Sequence, residues 1–546
     1  MGTAASVPQI DAPPVLTASQ MRHCDSHTIL DLHVPSSVLM ERAADALVRC
    51  IRENPEIFPA GQVLLLCGSG NNGGDGFAAA RLLAADSGDR RHTAAVLYLG
   101  KFNADGTPDT ACMSGECAEQ YGLAKKAGVP VFPPDRLERL LPESTSAVDA
   151  VFGIGLNRPV EGTAADVFRS VNASGLPVLA ADIPSGVMAD TGCVPGAALH
   201  AAATVTMQTL KPGLLLYPGA ELCGRIFVAD IGIDTSAEPQ PWAHLADETL
   251  LRAVMRPRDR RSNKGSYGRL ALVCGSHGMA GAALLAASAA LRTGAGLAHI
   301  VTAEDNRTIL QTALPEAVMT TYGAEPPALP HADGYTVGCG LGTSEQSLRV
   351  LKTVLCAQDS PDTCPCPAVL DADALNLLAA HPDLWNSPML ANPNKTVVLT
   401  PHPAEMARLT GLPITDVLEN LPKTAAKFAK LHGVTVVLKD AHTVIAAPNG
   451  AVLLSAAGNA GMAKGGSGDL LAGIIGSLLV QARKRLRNGE LSVSAVAAAG
   501  VFLHGAAGDR CAAALGEYGM LPSDILRELP NVTRTLSDSR TGIVKL

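Results

Sequence analysis

"VLLLCGSGNNGGDGFAAARLLAA", Val63 to Ala85, runs from an unbroken apolar stretch through a glycine cluster into an alanine-rich segment. The order reads as a buried strand, a glycine loop and a helix beginning near Phe77, because a strand covered on both faces stays apolar at every position. Glycines there let the backbone approach an anion and present N–H groups near a helix N-terminus, so phosphate is the natural guest. Any tight strand-to-helix turn can use a bare glycine loop, however, so its function must be read from neighbouring side chains.

Similar units follow. "TAAVLYLG", "AVDAVFGIG", "PVLAADIPSG" and "TVTMQTLKPG" are apolar runs ending in glycine-containing loops, with helix-length segments between them. This alternation predicts βαβ units in a parallel sheet, helices on both faces, and ligands beyond the carboxyl ends of the strands. "DTSAEPQPWAHLADETL", Asp234 to Leu250, is acidic and Pro-containing and lacks strand periodicity, which puts a boundary between domains at 1–240 and 241–546. A second series then begins with "GRLALVCGS" and continues through "AHIVTAE", "GYTVGCGLGTS", "PAVLDADALNLL", "TVVLTPHPAEM" and "TVVLKDAHTVIAA". Both halves read as three-layer α/β domains. Their motif orders differ, so two fused folds are expected rather than a duplication.

Composition narrows the function classes. A chain of 546 residues exceeds what one core supports, and 47% hydrophobic with 17% charged residues is ample for folding. The formal net charge of −8 argues against a general nucleic-acid or anionic-membrane binder. "RPRDRRSNKG", Arg256 to Gly265, is either a solvated linker or a contribution to a nearby phosphate site. The 13 cysteines lack paired metal spacing, the nearest approach being Cys364 and Cys366, and read as mostly buried reduced thiols of a reducing, cytoplasmic compartment. No apolar stretch reaches the roughly 20 residues of a membrane span. "MGTAAS" matches a loose myristoylation pattern, and the terminal "VKL" only partly matches a peroxisomal signal.

In the first half, Asn71, Asn72 and Asp75 add amide and carboxylate oxygens to the glycine loop, while Asp149 and Ser185 end two other predicted strands. Such hard ligands suit an alkali or alkaline-earth cation. "GSGNNGGDG", "VDAVFGIGLNRPVEG", "ADIPSGVMADTG" and "TVTMQTLKPGLLLYPG", in that order, resemble the YjeF N-terminal family of epimerases acting on hydrated nicotinamide nucleotides. The resemblance implies a Rossmann-like domain that interconverts the R and S forms of NADHX and NADPHX with a potassium ion. Potassium would contact Asn72, Asp149 and Ser185. Substrate would contact Asn71, Asn72, Gly73, Gly74 and Asp75, then Gly153, Ile154, Gly155, Leu156, Asn157, Arg158 and Pro159, and also Asp182. Asp182 is the candidate acid/base, its alternative being a cap for the turn before Pro184 and Ser185. Lys211 either neutralises a phosphate or is an ordinary surface lysine.

In the second half, "AGNAGMAKGGSGDLLAGIIGSLLVQ" puts a glycine loop before an apolar helix, Leu470 to Gln481, again suited to phosphate. A carboxylate beside phosphate suits a base acting on a hydroxyl at the moment of transfer, which makes Asp469 a catalytic candidate; the alternative is a helix cap. "GSHGMAGAALLAASAALRTGAGL", "VGCGLGTS", "LDADALNLL", "LTPHPAEMARLTG" and "LKDAHTVIA", followed by this loop, resemble the YjeF C-terminal family of nucleotide-dependent NAD(P)HX dehydratases, whose fold is ribokinase-like. The resemblance implies phosphoryl transfer to the S-form hydroxyl, followed by loss of phosphate. The donor would be magnesium-bound ADP, or ATP.

Within that resemblance Asp469 takes the hydroxyl proton, and Gly466, Ser467 and Gly468 hold the transferring phosphate. Lys439, Asp440, Ala441, His442 and Thr443 contact the nucleotide. Ala282, Gly342 and His402 fall in motifs that would contact the hydrated nucleotide, with Gly340 beside them. Three positions depart from the family pattern: Ser467 for threonine, and Asp440 and Ala404 each for glycine. The last raises the question of whether that backbone position needs positive φ.

The leading expectation is one chain carrying two successive repair steps, as a homo-oligomer without nucleic-acid or membrane partners. The alternative is a ribokinase-like small-molecule kinase whose N-terminal half is a non-catalytic binding module.

Overall fold

The computed structural model describes residues 12–85, 91–357 and 366–536. The "MGTAAS" and "VKL" segments and Cys364 lie outside the described residues. The described residues form two compact units, one from Pro14 to Trp242, the other from Ala243 onward together with Ala12 and Pro13.

The first unit holds a seven-stranded sheet. Its strands are β1 (Gly61–Cys67), β2 (His92–Tyr98), β3 (Val131–Phe132), β4 (Ser144–Ala150), β5 (Val178–Ala181), β6 (Ala203–Met207) and β7 (Arg225–Ala229). They lie in the order β3-β2-β1-β4-β5-β6-β7, and every pairing is parallel. In β1 the side chains alternate between two cores. Val63, Leu65 and Cys67 face the helices Ser36–Glu53, Asn71–Ala85 and Gly115–Lys126, while Leu64 and Leu66 face the helix Gly162–Ser174. The uniformly apolar run is thus explained by burial on both sides.

The helix after β1 starts at Asn71, not near Phe77, so the glycines form its first turns. Close packing is the cause: a Cβ on Gly73 would sit 1.9 Å from the Gly68 carbonyl oxygen, and one on Gly74 would press on Met40. Ser185 also differs from expectation. Strand β5 ends at Ala181, leaving Ser185 in the loop beyond it.

The second unit holds β8 (Ala243–Leu245), β9 (Arg269–Val273), β10 (Leu297–Ala303), β11 (Val318–Tyr322), β12 (Gly334–Val337), β13 (Ala368–Leu370), β14 (Val397–Leu399), β15 (Thr435–Leu438), β16 (Thr443–Ala446) and β17 (Val452–Ser455). Their order is β8-β17-β16-β15-β14-β13-β12-β9-β10-β11. Pairing is parallel from β11 through β15, whereas β16 is antiparallel to both its neighbours. Strand β8 lies inside the stretch read as lacking a strand; its three residues are too few to show periodicity, and pairing with β17 supplies the order.

Helices Ala280–Thr293 and Ser467–Arg487 pack together over this sheet. Glycine permits the approach, since a Cβ on Gly473 would lie 2.1 Å from the Ala286 carbonyl oxygen. The second helix is longer than the predicted Leu470 to Gln481 at both ends, because its polar last turns still carry helix-favouring Lys and Arg. The basic run 256–265 is an exposed loop whose Arg258 stacks 4.0 Å above the Tyr267 ring and donates to the Gly294 carbonyl oxygen at the end of helix Ala280–Thr293. No helix among the described residues is long and apolar enough to cross a membrane. The described cysteines are mostly buried.

Candidate functional site

Beyond the carboxyl ends of β1, β4, β5 and β6 lies a cavity of about 610 Å³. Ser69, Gly70, Asn71, Asn72 and Asp75 line one side, the loop 151–158 another, and Asp182 with Met207 the floor. Of the predicted contacts, Asn71, Asn72, Asp75, Gly153, Ile154, Gly155, Leu156, Asn157, Arg158 and Asp182 therefore meet in one place. Gly73, Gly74 and Pro159 are not in the lining; the two glycines serve the close packing described above.

Asp182 follows β5 with φ at 68°, a left-handed conformation that is uncommon outside glycine. It does not cap its own turn. Its Oδ1 accepts from the Met207 backbone N–H at 3.1 Å, the Thr206 hydroxyl at 3.3 Å and the Lys211 ammonium. Lys211 is 1% exposed and also donates to Thr206 Oγ1 at 2.9 Å and the Met207 carbonyl at 2.8 Å. It is neither a surface lysine nor placed for a phosphate, because all three of its protons are used on β6 and Asp182. Oδ2 of Asp182 takes no hydrogen bond among the described residues, which leaves it for a ligand.

A second carboxylate lies deeper. Asp149 accepts from Ser185 through its hydroxyl at 2.6 Å and its backbone N–H at 2.7 Å, and from Val151 N–H at 3.3 Å. The Ser185 hydroxyl oxygen in turn accepts from Phe152 N–H at 2.8 Å. Burial nevertheless pushes the Asp149 carboxyl up to about 6, and no lysine or arginine is bonded to it to balance the charge. Asn72 Nδ2 is buried with no hydrogen-bond partner among the described residues, against Gly153. Burial and the nearby Asp182 charge push the Asp75 carboxyl well above the usual range.

In the second unit the predicted groups gather beyond the carboxyl ends of β12, β13, β14 and β15, where an open α/β sheet normally binds ligands. Gly340 and Gly342 follow β12, and Gly342 N–H donates to Asp373 Oδ2 at 2.7 Å. Ala282 packs beneath Gly340. His402 follows β14 and caps the helix Pro403–Thr410: its Nδ1 accepts from the N–H groups of Ala404 and Glu405, and burial holds its pKa below the ordinary value, as that acceptor role requires. Lys439, at the end of β15, donates to Asp371 Oδ1 at 2.9 Å, which also accepts from the Thr400 hydroxyl at 2.7 Å.

Asp469 sits in the first turn of helix Ser467–Arg487, and ligand atoms of Asp469, Asp371 and Cys339 all lie within 4.8 Å of one another. Burial, then the Asp371 charge, raises the Asp469 carboxyl above its ordinary value. The long helix Val493–Gly519 fixes the glycine loop in front of it. Asp509 accepts from Gly458 N–H and Asn459 Nδ2, both at 3.0 Å; Lys464 donates to the carbonyls of Tyr518 and Met520; and Ser467 Oγ lies 3.4 Å from Nε2 of buried His504. Burial drives His504 down to about 4, so that imidazole stays neutral.

A family model described as YjeF-related protein N-terminus matches residues 36–213, and one described as NAD(P)H-hydrate dehydratase matches 270–531. A curated relative from Escherichia coli (strain K12), "Bifunctional NAD(P)H-hydrate repair enzyme Nnr", is 36% identical over 499 residues, spanning 90% of this chain and 89% of its own. The chain belongs to the bifunctional NAD(P)H-hydrate repair enzyme family. A member from Moorella thermoacetica is 35% identical over 97% of this chain and 98% of its own. Among solved structures, the ADP/ATP-dependent NAD(P)H-hydrate dehydratase from Bacillus subtilis, co-crystallized with ATP/Mg2+, is 31% identical over 54% of this chain and 98% of its own, with a TM-score of 0.46.

Within this repair-enzyme frame the three departures look mild. Ala404 lies in regular helix behind His402 and needs no positive φ. Ser467 keeps its hydroxyl, turned toward His504. Asp440 is exposed in the turn between β15 and β16, with Ala441, His442 and Thr443 following it. Sequence reading had not singled out Cys339, Asp371, Thr400, His504 or Asp509. "LDADALNLL" did carry Asp371 at a strand end, which is the signal that could have found it.

Proposed function

We propose that the N-terminal unit epimerises R- and S-NAD(P)HX and that the C-terminal unit dehydrates the S form at the expense of magnesium-bound ADP, or ATP. Two separate strand-end sites, each with a carboxylate open to a ligand, are the observation that carries this reading in a repair-enzyme family member.

In the first site the ring carbon bearing the hydroxyl is bonded to the ring nitrogen. Asp182 Oδ2 delivers a proton to that hydroxyl, the C–O bond breaks, and the nitrogen lone pair closes a C=N bond as water leaves. Water returned to the other face, losing its proton to the same carboxylate, inverts the centre. Lys211 and the Met207 N–H hold the carboxylate by Oδ1, so the oxygen facing the cavity is the reactive one. Asn72, Asp149 and Ser185 suit potassium, since each offers an oxygen and Asp149 is a buried carboxylate with no lysine or arginine bonded to it among the described residues. Bound there, potassium would supply the missing positive charge and anchor substrate oxygens.

In the second site Asp469 takes the proton of the S-form hydroxyl as that oxygen attacks the β-phosphate of ADP, or the γ-phosphate of ATP. Gly466, Ser467 and Gly468 hold the moving phosphate with backbone N–H groups at the helix start, and Lys439, Asp440, Ala441, His442 and Thr443 face the nucleotide. Ala282, Gly340, Gly342 and His402 shape the wall for the hydrated nucleotide. The phosphorylated oxygen then leaves as phosphate, and the neighbouring carbon loses a proton to restore the ring double bond. ADP is the favoured donor because fused two-domain members resemble the ADP-dependent group.

The test is NADH regeneration from separate R- and S-NADHX with ADP or ATP, for wild type, Asp182→Asn and Asp469→Asn. Asp182→Asn should slow only the R form, and Asp469→Asn should stop both. Phosphate transfer to a stable alcohol without NADH regeneration would instead support a small-molecule kinase.

A further inference from the structure

Asp469 does not stand alone at its helix N-terminus. Groups reach it from three strand ends: Cys339 after β12, Asp371 after β13 with Asp373 in the helix that follows, and Lys439 after β15, while the buried His504 stands behind Ser467. Cys339 is the hub. Its thiol is wholly buried, donates to Asp371 Oδ2 at 3.9 Å, and lies within 4.8 Å of an Asp469 carboxylate oxygen, with Cys274 close by. Asp371 spends its other oxygen on Lys439 and Thr400.

Asp371 therefore has its second oxygen on the Cys339 thiol, and carboxylate oxygens of Asp371 and Asp469 lie within 4.8 Å of each other. Two like charges this close oppose joint ionisation, and a donor bonded to one of them relieves the repulsion. Lys439, bonded to Asp371 Oδ1 and close to Gly468, supplies a positive charge beside both carboxylates. We propose that Cys339 is a positioning residue for Asp469: its thiol donates to Asp371 Oδ2 and offsets the Asp371 charge, so that Asp469 stays ionised at the pH where it must accept a proton.

The thiol suits this task. The hydrogen bond with Cys274, then burial and the neighbouring Asp371 and Asp469 charges, push its own pKa well above the ordinary value, so it remains a protonated donor across the neutral range. A thiol is a weak donor, but a bond to an ionised acceptor in a water-poor site is worth more than the same bond in water. Removing it should make the base easier to protonate and move the acid limb of the rate profile to higher pH.

The inference rests on Asp469 being the base of the dehydratase reaction. The experiment compares full-length wild type, Cys339→Ala, Cys339→Ser, Asp371→Asn and Asp469→Asn, measuring kcat and nucleotide KM across pH with S-NADHX and magnesium-ADP. Cys339→Ala should lower kcat by about three- to tenfold on the acid side, a loss that shrinks as pH rises, with KM changed less than about twofold. Cys339→Ser keeps a donor and should restore the wild-type limb. Asp371→Asn removes the like charge and frees Lys439, so its acid limb should move the other way.

If Cys339→Ala lowered kcat equally at every pH, or if serine failed to rescue it, the thiol would be packing only and the proposal would fall. If Asp469→Asn kept wild-type kcat, the base assignment itself would fail, a result distinguishable from the first.

Discussion

Lys211 and Asp182 form an ion pair at the carboxyl end of β6, with the lysine side chain 1% and the aspartate side chain 12% exposed. A buried charge is tolerated when paired and fully hydrogen-bonded, and Lys211 meets both conditions through Thr206 and Met207. The pair fixes one carboxylate oxygen and leaves the other for substrate.

Lys211→Met should therefore cost function and stability together. Epimerisation of R-NADHX should fall by about 10²-fold or more, because a carboxylate loose in its site loses most of its acid/base advantage. Leaving Asp182 unpaired should destabilise the unit by about 3–5 kcal/mol, read by chemical denaturation. Dehydration of purified S-NADHX is the internal control and should hold.

Potassium dependence should itself depend on pH. Burial raises the folded Asp149 carboxyl from 3.8 to about 6. Between those values the folded state binds more protons than the unfolded one, so stability falls as pH rises, by up to about 3 kcal/mol once both forms are ionised. A cation binding the ionised carboxylate offsets that cost only above about pH 6. Melting temperatures in potassium and in choline chloride should differ at pH 8 and converge at pH 5, and Asp149→Asn should erase the difference.

Asp469→Asn keeps the shape of the helix start and removes the base. NADH regeneration from the S form should drop by about 10²–10⁴-fold, while exchange between R and S, followed by chromatography, should continue at the wild-type rate.

The nucleotide turn and the phosphate loop should respond differently to small changes. Asp440 is exposed, so Asp440→Gly should move nucleotide KM by no more than about twofold at physiological salt. Gly466 has φ of 100°, and a Cβ there would lie 2.6 Å from Leu285 Cδ1. Gly466→Ala should displace the helix start and raise nucleotide KM by about tenfold or more.

Much of this was legible in the sequence. The runs 63–67 in β1 and 436–438 in β15 are apolar at every position because both faces are covered, and that signal survives without partners. The glycine loops were visible for the same reason: few residues tolerate close backbone approach. Short or half-exposed strands such as β8 and β11 gave no periodicity, since three to five residues hold too few alternations to register. Helix starts were placed too late because glycine reads locally as loop, whereas packing of Gly73 against Gly68 makes it helix.

The sequence by itself determined two α/β units, their strand-loop-helix order and the two carboxylates, Asp182 and Asp469, that stand at loop ends. Those features are local, written within a dozen consecutive residues. Only the tertiary structure decided what surrounds each carboxylate: Lys211 turned inward onto Asp182, and Cys339 and Asp371 brought beside Asp469 from strands about 130 and 100 residues away. Proton affinity depends on burial and on charges within a few ångströms, and such neighbours are set by sheet order rather than by sequence distance.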